Sequence, residues 1–385
     1  MIEFKHENPV TLFFGENQID DVVTEIVSYG TKVLLILGGK SFKSNGHYLP
    51  LVQKMQQAGL KIHELEGNKF PSLSVVRKGI ALCKDEKIDF VLGIGGGVCM
   101  DLAKTIAFGT KHPFDIWEYL TGAKEYDSQH LPIGTIVTYP SSGSEMDGAT
   151  QITNDVTKEQ AGLSGIYPNF SWLNPRYVMS VPNLELAYGQ ITSFVQMSIN
   201  FLSLENSSVS ETVSIALMKE ILKNLETALE NPLNVEVRSN MLISSALNVS
   251  GITGFGKSGD WSMYPLQGIL QEYYQVNYTR AITTLFPYWL KMIYKSENIF
   301  KKYFEEVLGL NTNELSENEL LNHALNKLSS IYQKFGLATT FKEIKEERGD
   351  REELYKIVKN MGNISSQYGE LITDDILYMF KQSIG

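Results

Sequence analysis

Residues 90–104 have the sequence Phe90-Val91-Leu92-Gly93-Ile94-Gly95-Gly96-Gly97-Val98-Cys99-Met100-Asp101-Leu102-Ala103-Lys104. This pattern predicts a buried strand that turns through glycines into a helix. Glycine lets the backbone approach a pyrophosphate closely, and a helix start directs N–H groups and a positive dipole end at phosphates. The turn therefore predicts a nucleotide ligand held by Gly95, Gly96, Gly97, Val98 and Asp101. The alternative is a tight turn that packs against a neighbouring strand.

Similar strand-like runs flank this turn. Residues 32–37 precede Gly38-Gly39, residues 61–65 precede a loop with Pro71, and residues 134–138 lie between Pro132 and Pro140. Helical patterns separate them at residues 51–59 and 72–86. Alternating strands and helices predict an α/β domain with a doubly wound parallel sheet, whose ligands bind at the carboxyl ends of the strands.

After Pro182 the sequence pattern changes from alternating strands and helices to helices alone. Apolar residues recur at helical spacing over residues 211–230, 237–249, 317–335 and 374–384. We therefore predict two domains, a dinucleotide-binding α/β domain over residues 1–182 and an all-α domain over residues 183–385.

Composition excludes several classes of protein. At 385 residues and 43% hydrophobic content, the chain can bury a large core. A net charge of -10 argues against nucleic acid as the main partner. No export signal or membrane segment is evident, and the two cysteines cannot form a disulfide framework. We expect a cytoplasmic protein that binds a small molecule.

A second polar loop follows the strand at residues 134–138. It contains Thr138, Ser141, Ser142 and Ser144 together with a proline and a glycine. Its hydroxyl groups could bind phosphate and ribose oxygens, although such loops commonly only form turns and helix caps. Because both loops follow predicted strands, we expect them to face one cleft.

These motifs resemble the iron-containing (group III) alcohol dehydrogenases, most closely their butanol-dehydrogenase-like branch of NADPH-dependent aldehyde reductases. The resemblance covers nearly the whole chain and implies a cleft that holds NAD(P) and a divalent metal. It rests on Gly38 to Gly46, on Gly95-Gly96-Gly97 with Asp101 and Lys104, on Pro140 to Met146, on Leu173-Asn174-Pro175, on Val181-Pro182, on Asp260-Trp261 and on Leu285-Phe286-Pro287.

The chain departs from this family where the metal is held. The resemblance implies an Asp and a His four residues apart, and two further His fourteen residues apart. The corresponding positions here are Thr192, Gln196, Tyr264 and Tyr278. His323 is the only histidine after residue 182, so a shift in alignment cannot restore the set. Neutral amides and phenols are poor ligands for Fe or Zn, and we therefore predict no metal.

The loss of the metal leaves two functions open. In one, the protein is an NAD(P)H-dependent alcohol or aldehyde oxidoreductase in which Tyr264 and Tyr278 replace the metal as the electrophile, with Arg280 or Lys257 nearby in sequence. In the other, it is an inactive nucleotide-binding paralogue with a sensing, regulatory or partner role. The tyrosines could also simply fill the vacated space, or the cleft could serve a different small molecule.

The loop after residue 37 bears on the choice of cofactor. It contains Gly38, Gly39, Lys40 and Ser41 and no acidic residue, which favours NADP(H) over NAD(H). Lys40 and Lys43 could equally be solvated surface charges. The resemblance implies assembly through an N-terminal edge strand, and the apolar run at residues 10–14 therefore predicts a homodimer. A strand buried within one chain would show the same pattern.

Overall fold

Strands and helices alternate through the first half of the chain. The computed structural model describes residues 1–67, 70–313, 315–344 and 351–384. The strands are β1 (Thr11–Phe14), β2 (Lys32–Leu37), β3 (Lys61–Glu66), β4 (Phe90–Gly95), β5 (Ile133–Val137), β6 (Ile152–Thr153), β7 (Gln160–Ala161), β8 (Phe170–Leu173), β9 (Ile364–Ser366) and β10 (Gly369–Leu371).

Helices connect these strands and make up most of the second half. They are α1 (Ile19–Tyr29), α2 (Ser41–Ser44), α3 (Tyr48–Gln57), α4 (Leu73–Glu86), α5 (Gly97–Lys111), α6 (Ile116–Leu120), α7 (Asn183–Phe201), α8 (Ser208–Glu230), α9 (Val235–Asn248), α10 (Met263–Tyr274), α11 (Tyr278–Ile293), α12 (Asn298–Glu306), α13 (Glu317–Phe335), α14 (Arg351–Met361) and α15 (Thr373–Ile384). No described helix is long and apolar enough to cross a membrane.

A six-stranded sheet in the order β1-β8-β5-β4-β2-β3 forms the centre of the first half. Every pair of neighbouring strands in it is parallel. The central strands are apolar along their length because both of their faces are covered. The predicted α/β fold with a parallel sheet and a helical second half is confirmed.

A hydrophobic core lies on each face of this sheet. One core joins the apolar faces of α1 and α3 to alternate residues of β2 and β4, with the Phe90 and Phe170 rings stacked at 5.8 Å. The other core joins α4, α5 and α6 to the opposite residues of the same strands. Strand side chains alternate between faces, so one apolar run supplies both cores. Because all six strands are parallel, their carboxyl ends lie at the same edge of the sheet.

The described residues form two compact units. One contains residues 6–182 and 227–250, and the other contains residues 1–5, 183–226 and 251–385. Helix α9 belongs to the α/β unit because Leu242 and Ala246 pack with Met100 and Val137. The first residues belong to the helical unit, where Phe4 stacks on Phe255 at 4.9 Å. A single boundary at residue 182 would therefore assign residues 1–5 and residues 227–250 each to the other unit.

Candidate cofactor and active site

The glycine turn joins β4 to α5 at the carboxyl edge of the sheet. Gly96 is extended and precedes the first residue of the fifteen-residue helix α5. The first turn of α5 carries no acidic side chain, so nothing within it offsets the positive end of the helix dipole. The turn has the geometry of a helix N-terminus that binds an anion.

Packing explains some of these glycines without a ligand. A Cβ atom at Gly95 would lie 2.6 Å from the Cys99 Sγ atom, and one at Gly38 would lie 2.8 Å from the same sulfur. Burial raises the pKa of Cys99 to about 12, so its thiol stays protonated and acts as a packing group. At Gly96 and Gly97 an added Cβ would meet side-chain atoms of Tyr139 and Ser142 at 3.2 and 3.0 Å. The packing alternative therefore accounts for Gly38 and Gly95, whereas Gly96 and Gly97 approach the hydroxyl-bearing loop.

The loops after β2, β4 and β5 lie side by side. The Gly38 amide donates to the Ile94 carbonyl at 2.9 Å, and the Thr138 amide donates to the Gly95 carbonyl at 2.9 Å. Gly143 adopts a left-handed φ of +81°, and a Cβ there would lie 2.4 Å from the Ser245 carbonyl oxygen. One edge thus gathers the sequence-predicted cofactor residues Gly38, Gly39, Lys40, Ser41, Gly95, Gly96, Gly97, Val98, Asp101, Thr138, Ser141, Ser142 and Ser144.

A buried lysine on α5 fastens the loop after β5 to that helix. The Lys104 ammonium donates to Ser144 Oγ at 2.9 Å, to Asp147 Oδ1 at 2.7 Å and to the Ala149 carbonyl at 3.0 Å. Ser144 in turn donates to Asp101 Oδ1 at 2.8 Å. Burial raises the pKa of Asp101 to about 7, although the charge of Lys104 acts in the opposite direction. Asp101 and Ser144 therefore hold the loop in place.

Glu145 is a second buried carboxyl group in this loop. Its side chain is 3% exposed, and Oε1 has no hydrogen-bond partner within the described part of the chain. Burial raises its pKa to about 7. Glu145 and Lys104 are not among the predicted site residues, although both lie in motifs that carry the family resemblance. The sequence feature that could have indicated them is a charged residue within a segment that is otherwise apolar or rich in small residues.

The loop after β2 carries two lysines in different environments. Lys43 forms an ion pair of 2.6 Å with Glu64 on β3, and Tyr48 also donates to Glu64. Lys40, at the start of α2, is exposed. Glu64 is an acidic residue near this loop that the loop's own sequence does not reveal, because it lies on the neighbouring strand β3. Lys43 is thus ion-paired with Glu64, whereas Lys40 faces solvent.

The four positions assigned to metal ligands lie in the helical unit. Gln196 on α7 donates from Nε2 to the Tyr264 hydroxyl at 3.2 Å, and that hydroxyl shares a 2.7 Å hydrogen bond with Tyr278. The Thr192 hydroxyl donates to the Tyr188 carbonyl of its own helix at 2.8 Å. The structure therefore brings Gln196, Tyr264 and Tyr278 into one hydrogen-bonded chain.

This set of groups does not fit a divalent metal. A hydrogen bond between two phenol oxygens requires at least one proton, and hydroxyl and amide groups are weak ligands for Fe or Zn. Among the described residues, no three His, Cys, Asp or Glu side chains are placed to hold a metal ion. The interaction that the structure shows at these positions is hydrogen bonding.

The two cations expected near the tyrosines have partners of their own. Arg280 forms an ion pair with Glu185 at 2.5 Å. The Lys257 ammonium lies 3.1 Å from Glu211 and donates to the carbonyls of Phe201 and Glu205 at 3.0 and 2.7 Å. Lys257 is thus a buried link between segments of the helical unit.

Comparison with known proteins gives matches along the whole chain. The family model described as iron-containing alcohol dehydrogenase matches residues 9–175. The model described as the C-terminal part of the Fe-containing alcohol dehydrogenase family matches residues 190–384.

Individual relatives agree with these models. NADH-dependent butanol dehydrogenase A of Clostridium acetobutylicum is 29% identical over 390 residues, with 100% of both chains covered. The NADPH-dependent aldehyde reductase YqhD of Escherichia coli is 24% identical over 347 residues, with 88% of both chains covered. The crystal structure of NADH-dependent butanol dehydrogenase A from Thermotoga maritima superposes with a TM-score of 0.92 at 26% identity, and covers 100% of this chain and 99% of its own.

Proposed function

Because the chain belongs to the iron-containing alcohol dehydrogenase family, we propose that it is an NAD(P)H-dependent oxidoreductase that acts on a small alcohol or aldehyde without a bound metal. The observation that carries this proposal is the pair of sites in the two units. The α/β unit keeps the glycine turn and its neighbouring loops, while the helical unit holds a hydrogen-bonded Gln196–Tyr264–Tyr278 chain.

The carboxyl edge of the sheet fits a dinucleotide. Amide groups at Gly96, Gly97 and Val98 suit the diphosphate, since they open helix α5, and the loop hydroxyls suit the ribose. We propose NADP(H) over NAD(H), because exposed Lys40 can pair with a 2′-phosphate and Glu64 is paired with Lys43. Relatives carry names with either cofactor, so the ratio of kcat/KM for NADPH and NADH, measured for the wild type and Lys40→Glu, is the direct test.

The tyrosine pair would supply the proton in carbonyl reduction. NAD(P)H, when bound, supplies the hydride that reduces the carbonyl carbon. A phenol proton of Tyr264 or Tyr278 moves to the carbonyl oxygen, so that the aldehyde becomes an alcohol, and water then returns a proton to the phenolate. Gln196, which donates a hydrogen bond to Tyr264, would stabilise that phenolate.

The hydroxyl and amide groups of Gln196, Tyr264 and Tyr278 also favour a second function, that of a nucleotide-binding protein without turnover. Without a metal, the carbonyl loses a Lewis acid that contributes several kcal/mol to catalysis. A nucleotide-binding protein without turnover, retained as a sensor, a regulator or a partner of an active paralogue, needs only the cofactor loops.

We also propose a homodimer and a cytoplasmic location. Strand β1 pairs with β8 along one side only and ends the sheet, and its Leu12 and Phe14 are 42% and 40% exposed. A second copy could cover this edge. Cys83 and Cys99 are free and buried, which suits a reducing compartment. Analytical ultracentrifugation of the wild type and Leu12→Lys tests the dimer.

The main experiment combines metal analysis with turnover. Purified protein is expected to contain no stoichiometric Fe or Zn and to oxidise NADPH with short aldehydes. Tyr264→Phe and Tyr278→Phe should each lower kcat by about a hundredfold or more, the usual contribution of a general acid. Tyr294→Phe is the matched control, because its hydroxyl donates to the Glu317 carbonyl elsewhere in the helical unit.

The outcomes separate the two functions. NADPH binding without turnover would support the nucleotide-binding protein. Turnover that requires Fe or Zn would contradict a metal-free site. Turnover unaffected by both Tyr→Phe variants would mean that the tyrosines only fill space.

A further inference from the structure

A cavity of about 430 Å³ lies in the helical unit, apart from the tyrosine pair. It is lined by the last turns of α11, by the β9–β10 hairpin and by α15. Its volume falls within the range of small-molecule sites. Pro287, the first lining residue on α11, follows Tyr278 by nine residues, so the cavity begins about 14 Å along α11 from Tyr278.

Part of the cavity lining is apolar and aromatic. Met292, Leu371 and Met379 contribute aliphatic surface, and Tyr288 and Tyr378 contribute rings. Tyr378 is 58% exposed, an unusual environment for a large aromatic side chain. Such a surface favours a ligand with a hydrophobic body.

Charges of opposite sign stand on different walls. Lys291 and Lys295 come from the end of α11 and the residues after it, whereas Glu370 and Asp375 come from β10 and the first turn of α15. Within the described ranges, none of these four side chains forms an ion pair or a hydrogen bond with another residue. A ligand with one charge would meet a group of like sign on one wall, whereas a zwitterion meets an opposite charge on each.

We propose that this cavity binds a small hydrophobic zwitterion, of the class of a hydrophobic dipeptide. Its carboxylate pairs with Lys291 and Lys295, and its ammonium pairs with Glu370 and Asp375. Its side chains lie on the aliphatic surface of Met292, Leu371 and Met379. This site is independent of the nucleotide loops and of the proposed oxidoreductase activity.

Calorimetric titration with the dipeptide Phe-Leu tests the proposal. Saturable binding is expected, and the N-acetylated and C-amidated forms should each bind about two- to fivefold more weakly, as expected for the loss of solvent-exposed ion pairs. In the variant Lys291→Glu/Lys295→Glu, the affinity for Phe-Leu should fall more than tenfold. Tyr378→Ala should weaken all three compounds alike, because it removes only apolar surface.

Lys78→Glu/Lys111→Glu is the matched control. Both are exposed lysines of the α/β unit, on α4 and α5, so this double reversal changes the net charge by the same amount and should leave the affinity unchanged. Circular dichroism checks that each variant is folded. The proposal is overturned if Phe-Leu does not bind saturably to the wild type, if both blocked forms bind as well as Phe-Leu, or if the double reversal in folded protein has no effect.

Discussion

Replacing Lys104 by methionine tests how the cofactor loops are held. The lysine side chain is fully buried on α5, and its ammonium donates to Ser144, Asp147 and the Ala149 carbonyl. Methionine keeps most of the volume and removes the charge and all three donors. The loop after β5 would then lose its fastening to the helix that follows the glycine turn.

The size of the effect follows from what Lys104→Met leaves behind. Removing one partner of a buried ion pair costs about 3–5 kcal/mol, because the other charge stays unpaired. The Asp147 side chain is 26% exposed, so water compensates in part and the lower end of that range applies. We therefore expect the free energy of unfolding to fall by about 3 kcal/mol.

Urea denaturation followed by circular dichroism measures this loss, and the quenching of NADPH fluorescence measures cofactor affinity. The control is Lys111→Met in the last turn of the same helix, where the lysine is exposed. We expect Lys104→Met to weaken NADPH binding and Lys111→Met to leave it unchanged. A loss of stability of about 0.5 kcal/mol or less, the size of a typical surface substitution, would refute the view that Lys104 fastens the loop after β5 to α5.

Two further predictions concern the same edge of the sheet. The folded-state pKa of Glu145, about 7, lies above its ordinary value of 4.5, so the folded protein binds more protons between these values and loses stability as pH rises through them. Glu145→Gln should reduce this loss of stability, measured as the difference between the urea midpoints at pH 5 and pH 7.5. Glu230 is exposed, and Glu230→Gln should leave that difference unchanged. Equal differences for the wild type and Glu145→Gln would contradict the prediction. Gly38→Ala should destabilise the protein by about 1–3 kcal/mol, because the new methyl group meets the Cys99 sulfur at 2.8 Å, and Cys99→Ala in the same chain should restore part of that loss. Additive effects in this double-mutant cycle would show that the sulfur is not the obstacle.

The sequence predicted best the elements whose ends carry a chemical signal. Strand β2 begins and ends where predicted, because its apolar run is closed by Gly38-Gly39. Helix α13 also begins and ends where predicted. Ser316 and Glu319 form a capping box at its start, and Gly336 at its end adopts a left-handed φ of +71°. Local hydrogen bonding of this kind depends on neighbouring residues and can therefore be inferred from sequence.

Partners distant in sequence were harder to infer. Periodicity shows that α9 has an apolar face, but it cannot show that Leu242 and Ala246 pack against the α/β unit. Glu64 was missed near the cofactor loop for the same reason, since only the pairing of β2 with β3 brings it beside Lys43. Such contacts depend on the order of the strands, which the local pattern does not determine.

The Gln196–Tyr264–Tyr278 chain gives a physical reason for the metal-free site that we propose. A cluster of carboxylate and imidazole groups needs a cation to offset the cost of burying them. A buried amide and two phenols satisfy one another instead, with hydrogen bonds of 3.2 and 2.7 Å. Under this proposal, stability at these positions does not depend on an ion, and a measurement of folding therefore does not report on turnover. Activity depends instead on whether a phenol proton reaches the substrate, which is why the Tyr→Phe pair must be judged by kcat rather than by folding.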